Sequence, residues 1–507
     1  MTHTGLMRRS AYVGCALALS LGCGTAPQTT GAVRTNDEGK IPITTRSDEA
    51  RALFLRGRVL NENLQTHEAH ALFLQAVAID PAFAFGEYSL AVTSPTAKEL
   101  AEHLESAVTL AATASAGERL LIQGLQARQR GDPEGARRIA EALVAQYPQD
   151  ERAHWTLANA CSAQQSYERA IAEFKAAIVI NPRYSLAYNQ MGYAYRSAGQ
   201  MANAEAAFKT YIALMPYDPN PYDSYAELLM KAGRFEESIA QYRKAQAIDA
   251  HFAGAFVGIV ANEMLASRHE AAAAEAERYL TVARDDGERR SALLSLAMVH
   301  IDRGATDEAL RAMERRLALA SAIGDTVNMA GDGVLIADIL LEAGRSDAAR
   351  LRWTQAHELL ATSSVSADVK QDDALARHYD AARTALAKGE GEAARAEAVA
   401  YAAGAAARHH DARIRQAHEL NGLVALSARR FADSLAELAL ADQQNPAVWA
   451  AKARAYAGLG DTAKAQELTA QARDMNILPT LPYVFTRAAL AAATRSATSG
   501  SADGRPR

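Results

Sequence analysis

The chain has 507 residues, of which 49% are hydrophobic, so it is long enough for more than one domain and apolar enough for a large buried core. Its formal net charge of −5, from 54 basic and 59 acidic residues, argues against nucleic-acid binding over a broad basic surface. Glycine (31) and proline (14) are too sparse for the many tight turns of an all-β protein, while alanine-rich runs such as residues 271–277 favour helices. The composition therefore predicts an all-α protein.

Residues 1–23 have the three parts of a secretory signal. Two arginines supply positive charge, residues 11–21 form an apolar stretch too short to span a bilayer, and small residues lead to Cys23. This pattern resembles a bacterial lipoprotein signal, although Ser20 stands where that family usually has leucine. The resemblance implies export to the cell envelope and lipidation of Cys23, which would anchor the protein to a membrane. An ordinary cleaved signal peptide is the alternative.

The segment that follows the signal is polar and rich in turn-forming residues. Residues 24–47 are therefore predicted to be a flexible tether between the anchor and the body. Beyond Cys15 and Cys23 the sequence has one further cysteine, Cys161. An exported protein with a single internal thiol has no intramolecular disulfide framework.

Small, aromatic and proline residues recur every 34 positions through the first half of the chain. One column of small residues consists of Gly124, Ala158, Gly192 and Ala226, and a second of Ala136, Ala170, Ala204 and Ser238. An aromatic column contains Phe174, Phe208 and Tyr242, and prolines close the units at Pro148, Pro182 and Pro216. This arrangement closely resembles the tetratricopeptide repeat, whose period is about 34 residues. The resemblance implies a right-handed α-solenoid of stacked antiparallel helix pairs.

Each column has a physical role in such a pair. Small residues let neighbouring helices approach closely, and the aromatic residues fill the space between them. A proline ends the second helix because it lacks an N–H group and restricts the residue before it. Gly199 and Gly233 are predicted to form the turns between the paired helices.

The second half keeps the pattern at a longer interval. Ala297, Gly304 and Ala309 recur as Ala337, Gly344 and Ala349, and the wider spacing predicts longer helices. The predicted organisation is a first repeat array over residues 48–283, a second array with longer helices over 284–476, a capping helix over 477–493 and a disordered tail over 494–507.

The sequence contains only weak matches to cofactor-binding, metal-binding and catalytic motifs. Residues 389–394 match a dinucleotide-binding glycine pattern in letters, but a helix precedes them and two glutamates would repel phosphate, so a helix–helix turn is predicted. His67 and His70 could share a metal but have no evident third ligand, and a solvated helix start is predicted there. Residues 409–411 lie near a predicted helix boundary, where metal binding would be adventitious and not a native site. The sequence has no Walker-type phosphate loop and no Gly-x-Ser-x-Gly elbow. We therefore predict no catalytic residue, no metal and no cofactor.

In the tetratricopeptide family the first helices of the pairs line a concave groove that suits a peptide or a helix. The stretch YNQMGYAYRSAGQ illustrates how residues divide between faces: Tyr188, Gly192 and Tyr195 are expected to pack inside, and Tyr193 and Arg196 to face the groove. The candidate groove residues are Trp155, Asn159, Asn189, Tyr193, Arg196, Asp223 and Glu227.

The leading hypothesis is a non-catalytic scaffold at the cell envelope that binds a partner protein or peptide in this groove, without nucleic acid. The alternative is a glycan- or nutrient-binding outer-membrane lipoprotein of an uptake system. A third hypothesis, an enzyme whose site is assembled across repeats, has no constellation of residues behind it.

Overall fold

The computed structural model describes residues 39–63, 65–363, 365, 367–408 and 411–502. Cys23, the predicted signal and most of the predicted tether lie outside these ranges. The regular secondary structure of the described residues is entirely helical, and the fold is an α-solenoid of antiparallel helix pairs. Among these helices, none combines the length and the apolar character that a membrane span requires.

The chain divides into two compact units. The described part of the N-terminal unit is residues 39–228 and 247–249, and that of the C-terminal unit is residues 229–246 and 250–502. The helices of the N-terminal unit are α1 (Asp48–Glu62), α2 (Thr66–Ile79), α3 (Ala84–Thr93), α4 (Ala97–Leu110), α5 (Ala116–Gln129), α6 (Pro133–Gln146), α7 (Glu151–Ala163), α8 (Tyr167–Ile180), α9 (Ser185–Ser197) and α10 (Met201–Leu214), with a 3₁₀ turn at Ala111–Thr113. Helices α11 (Asn220–Lys231) and α12 (Phe235–Ile248) contain residues of both units.

The C-terminal unit continues the pairing with longer helices. It contains α13 (Ala253–Leu265), α14 (His269–Val282), α15 (Asp286–Asp302), α16 (Thr306–Ala322), α17 (Thr326–Glu342), α18 (Ser346–Thr362), α19 (Ala367–Lys388), α20 (Gly391–Ala407), α21 (Asp411–Ser427), α22 (Phe431–Leu440), α23 (Pro446–Gly458), α24 (Thr462–Arg473) and α25 (Leu481–Ala502). The helices lengthen to 17 residues at α15, in the interval where the sequence period is stretched.

Close packing inside each pair depends on the small-residue column. A Cβ atom at Gly192 of α9 would lie 2.7 Å from Cε1 of Phe208, which is completely buried on α10. Gly57 of α1 has the same relation to Phe73 of α2, again at 2.7 Å. Because real Cβ atoms do not approach other atoms so closely, only glycine lets these aromatic rings sit against the backbone of the first helix.

The glycine-rich stretch that resembles a nucleotide-binding pattern is a turn between helices. Gly389 follows the last residue of α19 and has φ +75°, a left-handed conformation that favours glycine. Glu390 then precedes the first residue of α20. The structure therefore confirms the prediction of a helix–helix turn here.

Residues 39–47 differ from the predicted flexible tether. They have no regular secondary structure, and the side chain of Ile41 is 2% exposed in the same apolar cluster as residues of α1 and α2. The backbone N–H groups of Ile41 and Thr44 donate to the carboxylates of Asp150 and Glu118 at 2.8 and 2.7 Å. Burial and these hydrogen bonds hold the segment against the repeats, so the tether prediction is corrected for these residues.

Buried ion pairs fasten the longer helices of the C-terminal unit. Arg290 of α15 donates to Asp332 of α17 at 2.6 Å, and Arg316 of α16 pairs with the same carboxylate. His357 of α18 lies 2.7 Å from Asp373 of α19 through Nδ1. Each contact crosses from one helix to another, so charge pairing sets the relative position of these helices.

The last helix is longer than predicted. It begins at Leu481 and continues to Ala502, whereas the sequence predicts a capping helix that ends at residue 493 and a disordered tail from residue 494. Its first two turns pack within the C-terminal unit, as described below.

Candidate partner-binding site

The candidate groove residues occupy equivalent positions on three first helices of the N-terminal unit. Trp155, Asn189 and Asp223 follow one another at intervals of one repeat on α7, α9 and α11. Asn159, Tyr193 and Glu227 form a second column, one helical turn further along the same helices. Two parallel rows of polar and aromatic side chains therefore run across the three helices.

The centre of this surface is a group formed by Tyr193, Arg196 and Glu227. Arg196 Nη1 donates to Glu227 Oε2 at 3.1 Å, and its guanidinium lies 4.7 Å from the centroid of the Tyr193 ring. The Tyr193 ring also meets Phe208 edge-on, with 5.2 Å between centroids. Burial, and then the negative charge of Glu227, raise the pKa of the Tyr193 hydroxyl well above its ordinary value. The Tyr193 side chain is therefore uncharged, and its contacts with Arg196 and Phe208 hold the ring in place.

Two buried polar atoms on this surface have no hydrogen-bond partner in the described residues. Asn189 is 5% exposed and its Oδ1 is unpaired. The indole Nε1 of Trp155, one repeat earlier, is also buried and unpaired. Buried polar atoms in folded proteins are nearly always hydrogen-bonded, and leaving one unpaired costs about 1–3 kcal/mol. The pair thus offers one acceptor and one donor that nothing in the described chain uses.

Asp223 adds a buried acidic group. Its side chain is 9% exposed, and burial followed by the negative charge of Glu227 raises the pKa of the carboxyl group well above its ordinary value. Arg196 contacts Glu227, the neighbouring acid, at 3.1 Å. Two acids and one base therefore share this end of the surface, which leaves it short of positive charge.

The repeats that carry these rows match a known family. Sequence profiles described as tetratricopeptide repeat match residues 123–185, 186–217 and 220–252. Residues 123–217 and 220–252 therefore consist of tetratricopeptide repeats. The matched residues include all seven candidate positions, although they make up only about a quarter of the chain. No curated protein matches the sequence significantly.

Solved structures of tetratricopeptide repeat proteins are similar to parts of this chain. A tetratricopeptide repeat protein from Parabacteroides merdae is 14% identical over 51% of this chain and 96% of its own, with a TM-score of 0.36. MamA from Desulfovibrio magneticus is 18% identical over 31% of this chain and 90% of its own, with a TM-score of 0.28. YrrB, described as having an unusual peptide-binding site, is 14% identical over 36% of this chain and 91% of its own, with a TM-score of 0.27.

The geometry of this tetratricopeptide repeat surface differs in part from the sequence prediction. The prediction treats all seven residues as exposed, but Asn189 and Asp223 are buried and the other five are half-buried. The position of a residue within one repeat does not show how far its side chain is covered in the folded array. Of the residues predicted to pack inside, Tyr195 is 7% exposed, whereas Tyr188 is half-buried.

Sequence reasoning missed one member of the site. The hydroxyl of Ser224 shares a hydrogen bond with that of Tyr193, and Ser224 is 1% exposed. It directly follows Asp223, so it belongs to neither of the two columns. A serine carries little signal on its own, and only the approach of α11 to α9 brings its hydroxyl to the tyrosine.

A concavity of about 440 Å³ opens elsewhere in the N-terminal unit. Its lining comes from the turn after α1, the start of α9 and the loop after α10. The aromatic side chain at its edge, Tyr217, is 90% exposed. None of the seven candidate residues lines it, so it is separate from the two rows.

Proposed function

We propose that this protein is a non-catalytic scaffold that binds a peptide segment of a partner protein on the face formed by α7, α9 and α11. The observation that carries the proposal is the unpaired, buried amide oxygen of Asn189. A backbone N–H group of a bound peptide would satisfy it, and the peptide's carbonyl groups would accept from Trp155 Nε1 one repeat away. Such paired donors and acceptors suit an extended chain, which presents both along its length.

The charges on this surface favour a partner with a basic side chain. Within the described part of the chain no group donates a hydrogen bond to the Asp223 carboxyl group, and its neighbour Glu227 is the acid that Arg196 already contacts. A lysine, an arginine or a free amino terminus next to Asp223 would stabilise its ionised form. The proposed ligand is therefore a peptide with one cationic group, and an apolar residue that packs on Tyr193.

The first test uses a random-sequence peptide library selected against the full chain. The selected peptides are expected to share a basic residue, and Asp223→Asn is expected to weaken their binding by about tenfold or more, since a hydrogen bond to a charged group contributes about 1.5–3 kcal/mol. Glu134→Gln is the matched control, because it also removes one acidic charge but at a position 58% exposed on α6. Selection of acidic peptides, or equal binding by Asp223→Asn, would contradict the proposal.

We further propose that Cys23 anchors the protein to a membrane of the cell envelope. The support is the resemblance of residues 1–23 to a lipoprotein signal. Mass spectrometry of the protein purified from cells should show a mature chain that begins with a lipid-modified Cys23, and Cys23→Ser should move it from the detergent phase to the aqueous phase. A wild-type chain that keeps residues 1–23 unmodified would refute the anchor.

A further inference from the structure

The helix α25 departs from the nearest-neighbour packing of a repeat array. In a solenoid each repeat contacts only the repeats beside it. Within the C-terminal unit, α25 packs against α15 as well as against α23 and α24, although nine helices separate α25 from α15 along the chain. A helix that only capped the array would cover its last pair alone. This helix also covers the face of a much earlier one.

The contact is apolar and completely buried at its centre. Leu481 and Val484 are 5% and 0% exposed in one cluster with Met264 of α13 and Leu296 of α15. Tyr483 is 1% exposed and belongs to a second cluster that includes Leu265 of α13. Side chains three positions apart on α25 thus enter the surface between α13 and α15, in the way that an amphipathic helix enters a groove.

One ion pair fixes the direction of the helix. Arg487 Nε donates to Asp302 Oδ1 at 3.1 Å, at the last residue of α15. The side chain of Asp302 is 5% exposed, and its other oxygen lies 3.0 Å from Nε2 of His269. A buried carboxylate of this kind accepts a hydrogen bond from an arginine at a single position of the packed helix. The ion pair therefore selects the register of α25 and a positive charge at that position.

The connection to α25 has no helix of its own, although Met475, Ile477 and Leu478 pack against the cluster that holds Tyr483 and would have to leave with α25. Residues 474–480, which join α24 to α25, have no regular secondary structure. The array of helix pairs from α13 to α24 is continuous without α25. A tethered helix of this type occupies its site at an effective concentration in the millimolar range and can be replaced by a ligand that binds more tightly.

We propose that the face between α13 and α15 is a helix-binding site, and that α25 is its resident, displaceable ligand. The partner that fits is an amphipathic helix of another protein, with two apolar residues three positions apart and an arginine three positions after the second. Docked α25 therefore keeps the site closed to such partners. This proposal concerns the C-terminal unit and does not depend on the peptide surface of α7, α9 and α11.

The first measurement is hydrogen exchange on the full wild-type chain. The amide groups of residues 483–493 should exchange faster than those of α15, because α25 opens without unfolding the helices that it covers. Equal exchange rates in the two segments would overturn the proposal, since α25 would then be a permanent part of the core.

The second measurement adds a fluorescein-labelled synthetic peptide of residues 475–493 to the full chain and follows its anisotropy. Val484→Ala with Arg487→Ala in the chain should weaken the resident helix, so that the peptide binds at least about tenfold more tightly than to wild type. A peptide with Arg487→Glu should not bind either protein. The matched control in the chain is Arg473→Ala, which removes an arginine that is 51% exposed and pairs with Asp474.

Circular dichroism and thermal melting establish that each variant is folded before its binding is compared with that of wild type. If the double substitution unfolds the protein, Asp302→Asn replaces it, because asparagine has nearly the same shape but lacks the charge. In Asp302→Asn the amide groups of α25 should exchange faster than in wild type, while those of α15 are unchanged. Equal peptide affinity for folded wild type and the folded double variant, or unchanged exchange of α25 in Asp302→Asn, would overturn the proposal.

Discussion

His357 should make the stability of the C-terminal unit depend on pH. The imidazole is 5% exposed, with Nδ1 2.7 Å from Asp373 and Nε2 3.4 Å from Asp380. Burial alone would lower the pKa of His357, but the hydrogen bond to Asp373 and the negative charges of Asp373 and Asp380 outweigh it and raise the pKa to about 9. Burial also raises the pKa of Asp380.

The sign follows from the direction of the shift. Because the folded protein holds the proton more tightly than the unfolded chain, the stabilisation is complete below the ordinary pKa of 6.5 and is lost as the pH rises through about 9. The difference corresponds to about 3 kcal/mol at 1.36 kcal/mol per pH unit, so the free energy of unfolding should fall by about that amount between about pH 6 and about pH 9.5.

The fluorescence of Trp353 can be used to follow unfolding near His357. This tryptophan lies on α18, one turn before His357, and is 3% exposed. In a background with Trp155→Phe and Trp449→Phe it is the only tryptophan, since the chain has three. Urea unfolding followed by its fluorescence should show the decline in wild type and a nearly flat profile in His357→Gln.

The control for this prediction is His418, which pairs with Glu437 at 2.8 Å in a setting that is 30% exposed. An exposed ion pair contributes about 0–1 kcal/mol, so His418→Gln should keep the wild-type slope. A wild-type profile that matches that of His357→Gln, or stability that rises with pH in this range, would refute the reasoning.

Three further predictions concern the N-terminal unit. Gly192→Ala should lower the free energy of unfolding by about 1–3 kcal/mol in urea titrations, because its Cβ would lie 2.7 Å from Phe208; an unchanged midpoint would contradict the close packing. Asp150→Ala should destabilise the unit by about 1–3 kcal/mol, since it leaves the Ile41 N–H without its 2.8 Å acceptor, and hydrogen exchange at residues 39–47 should rise. Peptides selected on the α7, α9 and α11 surface should bind more tightly as the pH rises through the raised pKa of Asp223, and calorimetry should show no such pH dependence for Asp223→Asn.

Asp150 also has a pH dependence of the opposite sign. Burial would raise the pKa of its carboxyl group, but the hydrogen bond and charge of Arg152 outweigh it and lower the pKa. Its stabilisation is therefore present above the ordinary value of 3.8 and is lost as the pH falls through the lower folded value. Acid unfolding of Asp150→Asn should lack this component, whereas a wild-type acid profile would contradict the assignment.

The parts of the fold that the sequence predicts are local. Gly192 and Phe208 lie in the two helices of one pair and contact each other there, so the repeat pattern alone identifies their packing. Gly389 lies next to two helix ends, and its left-handed turn follows from the pattern around it. Short-range periodicity is sufficient in both cases because the contact partners lie inside the same repeat.

The parts that the sequence does not predict depend on distant segments. The contact of Arg487 with Asp302 joins residues 185 positions apart, and no repeat period relates them. The N–H group of Ile41 is satisfied by Asp150 from 109 positions away. Asn189 is predicted to be exposed in the groove from its position on the helix, but it is only 5% exposed in the folded chain.

The measurement that tests the proposed function most directly is in-cell photocrosslinking from Asn159. This residue is half-buried on α7 in the second row, and its amide N–H group donates to the Trp155 carbonyl of its own helix at 2.7 Å, so a photoreactive side chain there breaks no hydrogen bond between helices. Val179, which is 80% exposed on α8, is the control position. We expect one recurrent protein adduct from position 159 that disappears with Asp223→Asn and is absent from position 179. Adducts only to glycan, or the same scattered adducts from both positions, would contradict the proposed peptide-binding scaffold.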